Sequence, residues 1–160
     1  MNAYEKKPWL AQYTPGVPAT AASTFANALE MFQAARRADP ERTLLYYFDQ
    51  PLSVATIDGL SDALAVALAA RGITAGDRVA VYLQNVPQFV IAMLAAWKCG
   101  AIMVSVNPML RHKEVALILN DSGAKGLITL ESLWNDVASG VVAGSSVQFT
   151  LTTSELEFLG

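Results

Sequence analysis

Apolar and polar positions change period along this chain, and the changes mark its elements. Ile57, Leu60, Leu64 and Leu68 recur at helical spacing. This predicts a helix with Ser53 or Thr56 as N-cap and Gly72 as C-terminal cap. Asp58 and Asp62 fall off that line, and the early Asp58 suits the positive end of the helix dipole. Ahead of it, Thr24 to Ala38 reads as a helix with Leu29, Phe32 and Arg36 along one side. Asp39-Pro40 ends it, because a residue before proline avoids the helical region. Thr43 to Phe48 is a strand of β-branched, aromatic and leucine residues. A tight turn at Asp49-Gln50 then leads into Leu52 and Ser53, giving a short hairpin.

From Gly76 onward, strands and helices alternate. The expected strands are Arg78 to Leu83, Ala101 to Val106, Leu127 to Leu130 and Val147 to Thr152. Between them, Asn85-Val86-Pro87 opens a helix with proline in its first turn, which runs to Cys99 and stops at Gly100. His112 to Leu119 is a second helix, closed by Asn120-Asp121-Ser122-Gly123, and Glu131 to Ala138 a short third one. Gly140 to Ser146 reads as a plain loop. Such alternation implies an α/β fold with a parallel sheet and flanking helices. The near-continuous apolar strands suit a sheet buried on both faces. The hairpin is expected off this sheet or at its edge. Residues 1–23 read as an irregular arm, since Pro8, Pro15, Gly16 and Pro18 interrupt regular structure, and residues 24–160 as one α/β unit.

The helix from Pro87 to Cys99 has only Gln88 and Lys98 as strongly polar members. A surface helix should show a polar stripe. This one is expected to be covered on most sides by more protein than the chain supplies. The isolated chain is then expected to self-associate, through this surface or through the arm bearing Trp9 and Tyr13.

Composition narrows the chemistry. The chain has 160 residues, room for one domain. Hydrophobic residues make up 53% and charged residues 16%, against roughly 25% charged in an ordinary soluble domain. Net charge is −3, from 11 Lys and Arg against 14 Asp and Glu, which argues against a nucleic-acid footprint. A single cysteine excludes a disulfide framework and a Cys-built zinc site. A single histidine, His112, excludes a multi-histidine metal site. Cys99 reads as a small buried hydrophobe and His112 as a solvated surface residue. The start of the chain lacks the apolar core of a signal peptide, and the run from Phe89 to Trp97 is too short to span a bilayer. The expected compartment is the cytoplasm, with room for peripheral contact with the inner membrane. No G-x-G-x-x-G, no G-x-x-x-x-G-K and no G-x-S-x-G occurs. No residue is therefore assigned as catalytic, cofactor-binding or metal-binding.

A resemblance carries the reading further. Leu52-Ser53, Leu60-Ser61-Asp62-Ala63-Leu64-Ala65, Leu68-Ala69-Ala70-Arg71-Gly72 and Gly76-Asp77-Arg78-Val79-Ala80 together resemble the first core motif of adenylate-forming (AMP-binding) enzymes. Trp97-Lys98-Cys99-Gly100-Ala101, followed by Val106-Asn107-Pro108, resembles their second. Asn85, Pro87 and Phe89 fit the segment between, and Leu119 to Lys125 the segment after. The arm, with Trp9-Leu10, Tyr13 and Pro15-Gly16-Val17-Pro18, looks like that of bacterial long-chain fatty acid–CoA ligases. Val54, Thr56 and Ser105 depart from the usual aromatic, glutamate and proline, and these look like scaffold positions.

The resemblance implies a ligase that uses ATP, Mg2+ and coenzyme A on a fatty acid, by way of an acyl-adenylate. The family's Ser/Thr/Gly-rich phosphate loop ending in Pro-Lys-Gly has no counterpart here. The expectation is an N-terminal portion that carries scaffold without chemistry and binds none of these cofactors alone. The alternatives are the same portion of an acyl-AMP ligase, and a stand-alone α/β interaction domain.

Overall fold

A computed structural model describes residues 2–159. The arm is more ordered than its prolines suggest. Helix α1 (Ala3–Lys6) is closed by a capping box in which Asn2 and Glu5 bond each other's backbone N–H. Pro8 then opens a 3-10 turn at Pro8–Gln12, the one place where its missing N–H costs nothing. The Tyr4 and Trp9 rings meet edge to face at 5.8 Å, and apart from a half-buried Leu10 the arm lies exposed.

Helix α2 (Ala28–Ala38) starts four residues later than the sequence predicts. Asn27 caps it, accepting the Glu30 N–H at 2.8 Å. Strands β1 (Thr43–Tyr47) and β2 (Gln50–Ser53) form the antiparallel hairpin, apart from the main sheet. Its turn lies at Phe48-Asp49, one residue before the expected position. Both take left-handed φ values, 45° and 64°, as the two-residue turn that matches strand twist requires.

Ser53 caps α3 (Val54–Ala70) by accepting the Thr56 N–H. The main sheet holds β3 (Arg78–Tyr82), β4 (Ile102–Ser105), β5 (Gly126–Leu130) and β6 (Phe149–Thr153), all parallel, in the order β4-β3-β5-β6. All four expected strands are there, in one sheet. Between them lie α4 (Pro87–Lys98), α5 (His112–Ser122) and α6 (Glu131–Asp136). The expected loop from Gly140 to Ser146 instead contains parts of two 3-10 turns, Ala138–Gly140 and Val142–Gly144.

The core sits on the two central strands. Every residue of β5 is buried, as are Val79 to Tyr82 of β3. Ala92, Ala95 and Ala96 of α4 are fully buried in the same cluster, and these small side chains let the helix approach closely. A second cluster joins Ile57 of α3 to Ile91 and Leu94 of α4, with Leu29 and Phe32 of α2 packed against it. Most of α4 is thus covered within the chain. Phe89, Val90, Met93 and Trp97 stay half-buried. Leu60, on the apolar line of α3, is 38% exposed, and Asp58, off that line, is buried.

Candidate functional site

Two charged clusters gather the residues of the sequence motifs. In the first, Lys98 closes α4 at a position where its ammonium meets α3. It donates to Asp58 Oδ1 at 2.6 Å, Asp62 Oδ1 at 2.7 Å, Ser61 Oγ at 2.8 Å and the Asp58 carbonyl at 3.0 Å. Arg36 of α2 pairs with the other Asp58 oxygen. The side chains of Lys98 and Asp58 are only 12% and 11% exposed. Three helices are therefore tied at one point by a nearly dry ion pair, and such a pair is costly to break from one side.

In the second cluster Asp77 sits in the turn before β3. The Lys125 ammonium lies 2.6 Å from its carboxylate. The N–H and hydroxyl of Thr74 both donate to it at 2.9 Å. The bond from Lys125, with those from Thr74, holds the Asp77 carboxyl down at about 2. Next to it, Arg78 donates from Nε to the Ser122 carbonyl at 2.8 Å and from Nη2 to the Gly123 carbonyl at 3.2 Å. Its guanidinium thereby satisfies carbonyls left open at the end of α5. Gly123 there takes φ 60°, the left-handed cap conformation.

Other candidate groups stand apart from these. Cys99 is half-buried, its thiol donates to the Ala65 carbonyl at 3.3 Å, and burial pushes its pKa up. That makes it a poor nucleophile. His112 is exposed at the first position of α5. Gln88 is buried, its amide N–H2 donating to the Ser154 carbonyl at 2.8 Å and to Thr153 Oγ1 at 3.0 Å. It pins the end of β6 to the start of α4. Among the described residues, no three His, Cys, Asp or Glu side chains group as metal ligands, and no helix is long and apolar enough to cross a membrane.

In an open parallel sheet, ligands sit outside the carboxyl ends of the strands where strand order switches direction. Here that point lies between β3 and β5. β3 continues through Leu83-Gln84-Asn85-Val86, a stretch without glycine or cation, into an α4 whose first residue is Pro87. Proline has no N–H to offer a phosphate. β5 passes directly into α6. The Tyr82 hydroxyl donates to the Leu110 carbonyl at 2.7 Å, drawing the chain after β4 down onto β3. Lys98, Lys125, Arg36 and Arg78 are all engaged with carboxylates or backbone carbonyls.

The sequence pattern did not reveal the pairing of Lys98 with Asp58. The available signal was two carboxylates four residues apart on α3 with Ser61 between them, and a lone lysine ending an otherwise apolar helix.

Comparison with known proteins bears on what such a scaffold serves. Residues 32–157 match the family model described as AMP-binding enzyme. A long-chain-fatty-acid–CoA ligase of Bacillus subtilis is 32% identical over 131 residues, which are 81% of this chain and 23% of that protein. A medium/long-chain-fatty-acid–CoA ligase of Mycobacterium tuberculosis is 37% identical over 126 residues, 78% of this chain and 21% of that protein. The crystal structure of a long-chain-fatty-acid-CoA ligase from Archaeoglobus fulgidus superposes with a TM-score of 0.75 at 23% identity. It covers 91% of this chain and 32% of its own, a likeness of fold. The chain spans about a quarter of the length of the curated relatives it matches.

Proposed function

Because the chain belongs to the AMP-binding enzyme family, we propose that it is the N-terminal α/β scaffold of a long-chain fatty acid–CoA ligase. In this reading the whole enzyme joins a fatty acid to the AMP portion of ATP, with Mg2+, and releases pyrophosphate. The thiol of coenzyme A then displaces AMP. The scaffold's share is positional: the ties at Lys98 and Asp77 set the helices and strand ends on which the rest of the enzyme is built. The observation that carries the reading is the family match over residues 32–157. The chemistry falls to residues outside those described, and this chain is inactive alone.

The test is a chimera in which this chain replaces the matching segment of the Bacillus subtilis ligase. The expected outcome is CoA thioester formation from palmitate, ATP-dependent and well above that from benzoate. A folded chimera that prefers benzoate would contradict the fatty-acid assignment. One that releases acyl-adenylate without transfer to coenzyme A would support an acyl-AMP ligase instead.

A further inference from the structure

β6 leads into residues 154–158, a run of turns without helix or strand that folds back over the start of α4. Gln88 holds it there. Its amide N–H2 donates to the Ser154 carbonyl at 2.8 Å, Thr153 Oγ1 at 3.0 Å and the Glu157 carboxylate at 3.3 Å. Two protons thus serve three acceptors. Oε1 of the same amide is buried and finds no donor among the described residues, and a buried acceptor left unpaired is costly. Turning the amide over brings no relief, because Oε1 would then face the Ser154 carbonyl and the Glu157 carboxylate. With the segment in place, one side of Gln88 is oversubscribed and the other unserved.

The rest of the segment is lightly held. Phe158 packs half-buried against the cluster of Ile57, Ile91 and Leu94. It lies at a slot of about 290 Å³ that Leu60, Ile128 and Leu151 also line. The Tyr47 hydroxyl donates to the Glu155 carbonyl at 2.9 Å, which joins the segment to the hairpin. Leu156 is 64% exposed, and no residue of 154–158 is fully buried. Segments with few buried apolar contacts and exposed hydrogen bonds open locally, at far less cost than the whole fold.

We infer that residues 154–158 form a strap that opens and closes as a unit, with Gln88 as its catch. Closed, the strap ties the end of β6 to α4 and, through Tyr47, to the hairpin. Open, it admits water to both sides of the Gln88 amide, frees the hairpin from the end of β6 and uncovers the slot. The device belongs to the fold and does not depend on the ligase reading.

Fluorine spectra of the full chain carrying 4-fluorophenylalanine test this, with the Phe158 line assigned by its loss in Phe158→Leu. Saturation transfer at that line should reveal a minor open state of roughly 1–10%. Phe149, at the other end of β6, and Phe32 of α2 should show one state each. Gln88→Met keeps the side-chain length and removes the donors, and should raise the open-to-closed ratio about tenfold. Gln88→Lys supplies three donors and no orphaned oxygen, and should lower the ratio about threefold. Tyr47→Phe should raise it about threefold through loss of one half-buried hydroxyl, and it carries the test if Gln88→Met does not fold. No open state in the parent chain, equal ratios in parent and variants, or a Gln88→Lys ratio above the parent's would overturn the assignment. So would Phe149 and Phe32 exchanging in step with Phe158, which would mean that the whole chain unfolds.

Discussion

Replacing Lys98 with methionine is expected to lower the stability of the chain by about 3 kcal/mol, the range seen when one partner of a buried ion pair is removed. The methionine nearly matches the volume, so the loss is electrostatic rather than a cavity. Asp58 would keep only Arg36, on the more exposed side of the cluster, while Asp62 and Ser61 would lose their shared donor. For a chain of this size the melting temperature should fall by roughly 6–12 °C. The double change Lys98→Met with Asp58→Asn should cost clearly less than the sum of the two single changes, since directly contacting groups are not additive. A melting temperature within about 2 °C of the parent would show that the three helices hold without this tie.

Two leucines on α3 provide the second large effect and its control. Leu68 is fully buried against the sheet, while Leu60 on the same helical line is 38% exposed. Leu68→Ala should therefore cost about 3 kcal/mol, from lost burial and the cavity left behind. Leu60→Ala should cost about 1 kcal/mol or less, because less surface leaves contact. Denaturant unfolding with unchanged slope would measure both. Equal losses at the two positions would mean that α3 is rotated relative to the arrangement described.

That pair also shows where the sequence is legible and where it is not. The four parallel strands could be read directly because β3 and β5 are buried on both faces, which leaves an unbroken apolar run. Helix ends marked by glycine or proline, such as Gly100 and Pro87, were equally plain. The facing of α3 was not. Its alanines, among them Ala63, Ala65 and Ala67, blur the distinction between sides. The buried side is set by where α4 lies, a partner some 30 residues away in sequence. Asp58 illustrates the same limit. Position alone placed it at the dipole-favoured start of a helix, while its actual environment depends on Lys98, 40 residues on. The turn at Phe48-Asp49 escaped because an aromatic residue is a poor sequence signal for positive φ.

Under the proposed reading this scaffold has no phosphate site of its own. Titration calorimetry of the 160-residue chain with Mg-ATP measures it most directly. The expected result is no heat of binding through the millimolar range and no AMP or pyrophosphate released on adding fatty acid. Micromolar affinity, about −8 kcal/mol, would contradict the account and place a nucleotide site within these residues.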